Sequence, residues 1–370
     1  MNASAQVKSN FSFKWEKVKL LPKTIDSANS LGFAGMIGGF SNDIIVVAGG
    51  ANFPNKMPWE GGIKKYYDHL YLYKKEKEQF RLLDFQSKLP DPLAYAACYS
   101  YNNQIFVIGG ENENGLSNKA FFIQINNRKA EFFNLPDLPF KVSNAMITIK
   151  EELIYVLGGD SGNKTLNQFI YLDLVNKEKG WQQFNNLPYS VSNAIVSIQK
   201  IKNVEYLYLL GGRAKNINGL STFYKEVIRY DFQSKTWEKV CSLPYPLAAG
   251  TGFKFSNNEI ILVGGDQGKI FNQVENMINM INSDTTNVVK EQLNKEKALI
   301  QSTHPGFINK VILYNSLNNK FEISELVADT IPVTTSGLIL EGIFYIFSGE
   351  IKPGIRSPYI YSFTIIKNNE

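Results

Sequence analysis

The chain has 370 residues, of which 44% are hydrophobic and 20% are charged, and its formal net charge is +5. This composition is typical of a soluble globular protein, and the basic residues form no dense stripe of the kind that binds nucleic acid. No apolar run is long enough to span a membrane, and residues 1–10 lack the hydrophobic segment of a signal peptide, so we expect a cytoplasmic protein, or a periplasmic one whose signal peptide has been removed.

Apolar runs that end in a glycine doublet recur along the chain and indicate internal repeats. The doublets are Gly49-Gly50, Gly109-Gly110, Gly158-Gly159, Gly211-Gly212 and Gly264-Gly265, and the last copy ends in Ser348-Gly349. Most of the intervals are about 50 residues, which is the period of kelch repeats.

Each repeat predicts four short strands. A Leu-Pro pair precedes a first strand of small residues, and an apolar second strand leads into the glycine doublet. A third strand often carries Tyr and Asp, and a fourth carries an aromatic side chain. Strands bounded by turn residues at this spacing are typical of propeller blades. We therefore predict an all-β fold, a six-bladed β-propeller of kelch type with four-stranded blades, forming a single domain over residues 1–370.

The missing strand of the last blade is predicted at the N-terminus. The sixth repeat stops soon after its third strand, Tyr359 to Ile365, whereas residues 11–18 have the pattern of a fourth strand. We expect this N-terminal strand to close the ring, which removes an open sheet edge.

The interval after Gly265 is longer than the others and predicts a helical insert in blade 5. Asn272 to Ile281 and Thr286 to Ile300 lack strand alternation and are rich in Glu, Lys, Gln, Leu and Met. Two helices are therefore expected within a short insert at about residues 270–303. Such an excursion forms either a lid over the pocket or an oligomer contact, so a homodimer is one expected assembly.

The loops after the doublets and the starts of the first strands converge on one mouth of a propeller. Polar side chains at these positions predict a site for a small polar ligand. From the loops we expect Asn52, Glu111, Asp160, Arg213, Gln267 and Glu350, and from the inner strands Tyr95, Asn144 and Asn193. Some of these side chains would instead satisfy backbone groups.

The residue types available exclude several kinds of chemistry. With only two histidines, His69 and His304, and two separated cysteines, Cys98 and Cys241, no zinc site, copper-radical site or Ser-His-Asp triad is predicted. The cysteines are expected to be reduced thiols. Carboxylate acid/base chemistry assisted by arginine remains, because a partly desolvated carboxyl group is a usable base and an arginine binds a carboxylate.

Three segments carry a resemblance to a known family. They are Gly349-Glu350-Ile351-Lys352-Pro353-Gly354-Ile355-Arg356, Gly264 to Asn272 leading into the helical insert, and Gly32-Phe33-Ala34-Gly35. With them the chain resembles the sialic acid mutarotases, the N-acetylneuraminate epimerase family of six-bladed kelch propellers. Because the Glu/Arg element lies in the last blade, the chain resembles a circularly permuted form of that family.

The resemblance implies an isomerase and assigns roles to residues. Glu350 would be the proton acceptor and Arg356 its partner, in the interconversion of the α and β anomers of N-acetylneuraminate through the open-chain keto acid. Arg213 would help Arg356 to hold the substrate carboxylate, and the substrate-binding residues expected beside it are Asn193, Asn144, Asn52 and Glu111. The proton donor to the ring oxygen stays open between a water molecule and an acid such as Glu111. The reaction implies no metal and no other cofactor.

Two other functions are weighed against this one. A kelch-type protein-interaction module without catalysis would present exposed apolar or aromatic residues at its mouth to a peptide. A sialidase, which is also six-bladed, would carry an arginine cluster and Ser-x-Asp-x-Gly-x-Thr-Trp boxes, and the sequence contains no such box. Since fold analogy alone does not assign chemistry, the choice depends on the site.

Overall fold

The computed structural model describes residues 11–24, 27–77, 79–83, 87–217, 219–283, 287–327 and 329–367. Its main elements are six antiparallel sheets, each with four strands in blade order, which confirms the predicted six-bladed propeller. Blade 1 has one extra short strand, Ser87–Lys88, paired with its third strand.

The blades follow one another along the chain, with blade 6 completed by the N-terminal strand. From first to fourth strand, blades 1 to 3 are Ile37–Ser41, Ile44–Ala48, His69–Glu76 and Gln79–Leu82; Ala97–Tyr101, Gln104–Ile108, Ala120–Asn126 and Lys129–Asn134; Met146–Lys150, Leu153–Leu157, Phe169–Asp173 and Gln182–Gln183. Blades 4 to 6 are Ile195–Ile201, Val204–Leu210, Glu226–Asp231 and Thr236–Ser242; Thr251–Lys254, Glu259–Val263, Val311–Asn315 and Lys320–Ile323; Ser336–Leu340, Ile343–Phe347, Tyr359–Lys367 and Phe11–Leu20.

The hydrophobic core lies between blades. Six clusters of buried residues each join two consecutive blades, such as Leu72 of blade 1 with Ile105 of blade 2. The cluster that contains Val47 and Phe347 joins blade 1 to blade 6. Because each second strand is covered on both faces, it is mostly apolar, and in Ile44–Ala48 every residue is buried.

The N-terminal strand closes the ring as predicted. Phe11–Leu20 pairs antiparallel with Tyr359–Lys367, so that Phe11 lies opposite Lys367 and Leu20 opposite Tyr359. The Trp15 ring packs against Tyr361 at 5.3 Å and Phe363 at 5.5 Å between centroids. The strand thus covers the outer edge of blade 6 with both backbone hydrogen bonds and aromatic contacts.

A circle of hydrogen bonds, here called the throat ring, surrounds the propeller axis. One residue of each blade contributes, always with a left-handed φ between +48° and +67°. The six residues are Gly35, Tyr95, Asn144, Asn193, Ala249 and Thr334. Each N–H donates to the carbonyl of the equivalent residue in the preceding blade at 2.7–3.1 Å, and Gly35 completes the circle by donating to Thr334. The left-handed conformation costs about 1–2 kcal/mol for a residue with a side chain, and the inter-blade hydrogen bonds offset that cost.

The blade 5 insert consists of two helices, as predicted: α1 is Lys269–Ser283 and α2 is Asn287–Ser302. The Glu275 carboxylate of α1 accepts hydrogen bonds from the Ser221 N–H and hydroxyl of blade 4. On the other side, α2 lies against the 3₁₀ helix Pro58–Glu60 of blade 1. The insert therefore crosses the mouth of the propeller from blade 4 to blade 1.

The corresponding loops of the other five blades are two-stranded ribbons. The ribbons are Ala51–Asn52 with Lys65–Tyr66, Glu111–Asn112 with Gly115–Leu116, Asp160–Ser161 with Lys164–Thr165, Arg213–Ala214 with Thr222–Phe223, and Glu350–Lys352 with Ile355–Arg356. A second 3₁₀ helix, Lys177–Lys179, lies in blade 3. Within the described ranges, neither α1 nor α2 is long and apolar enough to cross a membrane.

Candidate active site

Six equivalent positions, one per blade, stand at the start of the loops that follow the doublets. At each, the residue after the second glycine forms a β-bridge with the residue that precedes the throat ring, as Val333 does with Glu350. The six residues are Ala51, Glu111, Asp160, Arg213, Asp266 and Glu350. All of them except Ala51 line a cavity of about 670 Å³ at the propeller mouth.

The predicted positions in blades 1 and 5 were wrong by one residue. Asn52 is only 2% exposed, with its amide bonded to the Gly32 carbonyl and the Tyr67 hydroxyl, and it does not line the cavity. Gln267 is exposed and also lies outside the lining. Because successive side chains of an extended segment point in opposite directions, the residue directly after the doublet, and not the next one, faces the axis.

Glu350 and Arg356 face each other across the blade 6 ribbon, where they are register partners. Glu350 Oε1 lies 3.5 Å from Arg356 Nη1 and accepts the Gly354 N–H at 2.8 Å. The turn between them therefore holds the carboxylate by a backbone donor, while the guanidinium stands close enough for electrostatic attraction. Both side chains line the cavity.

Arg356 is a buried cation with unused donors. Its side chain is 3% exposed, and its guanidinium lies 4.9 Å from the centroid of the Phe53 ring. Neither Nε nor Nη1 has a hydrogen-bond partner among the described residues. Buried donors without hydrogen bonds are costly, so the arrangement favours a ligand with an acceptor group, such as an anion, at this wall of the cavity.

Ser348, which replaces the first glycine of the last doublet, has a structural role. It adopts a φ of +58°, and its hydroxyl accepts the Phe33 N–H at 2.8 Å and donates to the Ser357 carbonyl. The hydroxyl thereby ties the blade 6 ribbon to blade 1. The departure from the Gly-Gly pattern marks a joint between the last and first blades.

Arg213 of blade 4 also lines the cavity and is paired with Asp160 at 2.9 Å. The Asp160 carboxylate also accepts Thr165 Oγ1 at 2.8 Å and Asn144 Nδ2 at 3.3 Å. Arg213 Nη1 is buried and has no hydrogen-bond partner in the described part of the chain, and its guanidinium lies 5.4 Å from the Phe271 ring of α1. Arg213 thus offers a second donor to a ligand acceptor.

Glu111 is already engaged by neighbours. Its carboxylate accepts the Tyr66 hydroxyl at 2.7 Å, Lys64 Nζ at 3.4 Å and Ser143 Oγ at 3.3 Å. Burial, and then the hydrogen bond to Glu111, raise the pKa of Tyr66, which therefore stays protonated. Beside this cluster, Asn144 and Asn193 line the cavity floor, and their backbones form part of the throat ring.

Asp266 and His304 are site residues that the sequence reading missed. Asp266 Oδ1 accepts the Gly268 N–H at 2.9 Å, and burial raises the pKa of the Asp266 carboxyl group. His304 follows α2 and is 5% exposed, its Nδ1 accepts the Gly306 N–H at 3.0 Å, and burial lowers its pKa. Counting from the second glycine would have found Asp266, but no local pattern indicates His304.

The helical insert, here called the lid (α1 and α2), supplies an apolar wall of the cavity. Side chains of the insert and of the loop after it line the cavity on that side, namely Ile270, Phe271, Val274, Ile278 and Phe307. Arg213, Arg356 and several carboxyl groups line other parts of the cavity, so the site suits a small ligand with both anionic and apolar groups. No three His, Cys, Asp or Glu side chains come together as a metal site within the described residues. Cys98 and Cys241 are not disulfide-bonded.

Comparisons with known proteins agree with the fold. The model of the N-acetylneuraminate epimerase family matches residues 2–130 and 135–370. A Salmonella enteritidis protein named N-acetylneuraminate epimerase is 34% identical over 112 residues, which are 29% of this chain and 29% of that protein. An Escherichia coli protein named N-acetylneuraminate epimerase 1 is 28% identical over 153 residues, 41% of this chain and 40% of that protein. These alignments span less than half of either relative.

A solved structure described as "Structure of YjhT" is similar to the whole propeller. The TM-score is 0.60 at 17% sequence identity, and the superposition covers 94% of this chain and 99% of that chain. At this identity the likeness concerns the fold.

Proposed function

Because the chain belongs to the N-acetylneuraminate epimerase family, we propose that it interconverts the α and β anomers of N-acetylneuraminate. The substrate is a small sugar acid with one carboxylate and one N-acetyl group. The cavity of about 670 Å³ matches such a molecule in having both cationic donors and an apolar wall.

The observation that carries the proposal is the Glu350/Arg356 pair. A carboxylate 3.5 Å from a buried guanidinium with two unused nitrogens combines a base with an anion-binding group in one wall. A buried guanidinium whose Nε and Nη1 make no hydrogen bond to any described residue can donate to a ligand carboxylate, and such charge-assisted hydrogen bonds are strong. Arg213 Nη1 supports the proposal as a second free donor.

The chemistry follows from the roles of these groups. Arg356 and Arg213 hold the C1 carboxylate, which fixes the anomeric carbon beside Glu350. Glu350 takes the proton of the anomeric hydroxyl as the bond between the anomeric carbon and the ring oxygen breaks, and the ring oxygen takes up a proton from a donor in the site to become a hydroxyl group. The resulting ketone turns its other face to the returning hydroxyl, and Glu350 gives the proton back as the other anomer forms. No electron or group passes to another molecule, so the reaction requires no cofactor.

The arrangement of the lid argues against a peptide-binding mouth. An interaction module needs an exposed surface for an extended partner. Here α1 and α2 run across the opening, with α1 fastened to blade 4 through Glu275 and Ser221. The mouth is consequently suited to a small molecule, and catalysis is the better-supported function.

Replacement of Glu350 by Gln tests the proposal. The amide keeps the shape but accepts no proton, so catalysed exchange between the anomers should fall by about 10²–10⁴-fold. Exchange NMR spectroscopy on N-acetylneuraminate measures that rate, above the uncatalysed background. Glu341→Gln is the matched control, because Glu341 lies on an exposed turn of the same blade with a side chain 72% exposed. A Glu350→Gln rate within about twofold of the unmodified protein would contradict the assignment of the base.

A further inference from the structure

Ring opening requires a second proton transfer, to the ring oxygen, for which Glu350 is not available. Building on the proposed function, we infer that Asp266 is the catalytic acid that donates this proton. Asp266 occupies in blade 5 the structural position that Glu350 occupies in the neighbouring blade 6.

The position of Asp266 fits that role. Asp266 of blade 5 bridges Ala248, as Glu350 of blade 6 bridges Val333, so the two carboxyl groups project from adjacent equivalent sites around the axis. Both line the same cavity. The anomeric hydroxyl oxygen and the ring oxygen are attached to one carbon atom, so two neighbouring carboxyl groups can serve them at the same time, one as base and one as acid.

The other carboxyl groups of the cavity are committed to donors. Glu111 accepts Lys64 and Tyr66, Asp160 pairs with Arg213, and Glu275 accepts both donors of Ser221. These donors occupy the carboxylate oxygens that would otherwise face a ligand. Asp266 differs, since among the described residues its hydrogen-bond donor is the Gly268 N–H and it has no ion-pair partner.

The electrostatics around Asp266 favour its protonated form. Burial raises its pKa most, and the negative charge of Glu350 raises it further. The hydrogen bond from the Gly268 N–H, and then His304 and Arg213, lower the pKa of Asp266 but do not cancel the effect of burial. His304 is itself kept towards its neutral form, because burial lowers its pKa by more than the charges of Asp266 and Glu350 raise it. Two carboxyl groups with unequal surroundings thus divide into an acid and a base, as in other two-carboxylate sites.

The proton balance closes over one turnover. On opening, Glu350 gains the hydroxyl proton, the ring C–O bond breaks, a C=O bond forms, and Asp266 protonates the ring oxygen. On closing, the same hydroxyl attacks the other face of the ketone and returns its proton to Asp266, while Glu350 protonates the former carbonyl oxygen. Both residues end as they began, and no co-reactant is needed.

Asp266→Asn is the first test, read by exchange NMR on the two anomers. Loss of the donor should lower kcat by about 10²-fold or more, while KM changes by less than about threefold because the carboxylate-binding arginines remain. The unmodified rate should fall as pH rises through the raised pKa of Asp266, and this limb should vanish in the variant. Gln267→Ala, an exposed change in the same turn, should leave rate and pH profile unaltered.

A second measurement does not depend on turnover. Infrared difference titration of the unmodified protein against Asp266→Asn reports the protonated carboxyl band of Asp266, which should titrate above the ordinary value of 3.8. If Asp266→Asn does not fold, Asp266→Glu, which keeps an acid, should retain catalysed exchange within about tenfold.

The proposed activity and the role of Asp266 can fail independently of each other. If the unmodified protein does not accelerate anomer exchange, the proposed function falls. If it does, but Asp266→Asn keeps its rate and pH profile, only the role of Asp266 falls. A carboxyl band that titrates at or below 3.8 also overturns the role of Asp266, whatever the substrate is.

Discussion

Glu350 depends on a glycine four residues away. Gly354 donates its N–H to Glu350 Oε1 at 2.8 Å, with a left-handed φ of +77°. A Cβ atom at this position would lie 2.5 Å from Pro58 Cδ, in the neighbouring loop of blade 1. The glycine therefore permits both the turn and its close packing, and through them fixes the direction of the carboxylate.

Gly354→Ala should lower the rate of anomer exchange more than it lowers stability. The left-handed conformation alone costs about 1–2 kcal/mol, and the overlap with Pro58 displaces the N–H that holds Glu350, so we expect at least about a tenfold loss of kcat/KM. Exchange NMR and thermal unfolding give the two quantities.

Gly342→Ala is the matched control for this prediction. Gly342 has a similar φ of +75° on a turn of the same blade, but no atom lies within 4 Å of its added Cβ. It should lose comparable stability and no activity. Equal loss of activity in both variants would mean that an alanine in the left-handed conformation lowers activity at either turn, and that the contact between Gly354 and Glu350 is not the cause.

At the level of the element, one carboxylate, that of Glu275, attaches the helical insert (the lid, α1 and α2) to blade 4. Glu275 of α1 receives both donors of Ser221, and Asn272 Nδ2 donates to the Ser221 carbonyl at 3.1 Å. The Phe271 and Phe223 rings pack edge to face at 5.4 Å beside these bonds. One short contact region thus holds α1 to the blade 4 ribbon.

Glu275→Ala should loosen the lid. Hydrogen bonds to a charged group contribute about 1.5–3 kcal/mol, so amide hydrogen exchange in α1 should accelerate roughly tenfold or more, while the blade strands keep their protection. Mass spectrometry after deuterium exchange resolves the helix from the strands. Glu291→Ala on α2 is the comparison, since its ion pair with Lys295 is exposed and worth little. Unchanged exchange in α1 would show that the lid is held elsewhere.

The elements themselves were largely predictable, because they follow from periodic apolar patterns. Repeats ending in glycine predicted the blades, and loss of alternation predicted α1 and α2. The direction of the side chains within the loops was harder to predict. The pattern marks the doublet but not which of the next two residues, Ala51 or Asn52, faces the axis, and that depends on the bridge to Ala34.

Some site residues were beyond sequence reasoning because packing between blades brings them in. Lys64 and Phe53 come from the long loop after Gly50, and they reach Glu111 of blade 2 and Arg356 of blade 6 respectively. His304 arrives at the end of an insert whose path is set by its contacts with blades 4 and 1. No spacing in the sequence predicts these contacts between side chains of different blades.

At the level of the whole molecule, stability depends on closure of the ring. The cluster between blades 6 and 1 has the same kind of buried packing as the five within the chain order, and the N-terminal strand completes blade 6. Without that strand, the edge of Tyr359–Lys367 would present unpaired backbone groups to water or to another chain.

Trp15→Ala should therefore weaken the entire propeller. Removing the ring from Tyr361 and Phe363 should cost about 3 kcal/mol of unfolding free energy, and it should promote association through the exposed strand edge. Denaturant unfolding and light scattering measure the two effects. Glu16→Ala changes the adjacent, exposed side of the strand and should alter stability by less than about 0.5 kcal/mol. Equal effects of both substitutions would mean that the strand is held by backbone pairing alone.

The throat ring has a consequence for how specificity is distributed. Its six N–H groups are all consumed in a single circular chain of donors that runs one way around the axis. None of these amides at the floor of the site is therefore free to bind a ligand. Discrimination between ligands depends instead on the side chains at the six equivalent positions that follow the doublets. Here these positions carry Ala, Glu, Asp, Arg, Asp and Glu. Exchange of one of these side chains would change which ligands the cavity binds, while the throat ring below it stays the same.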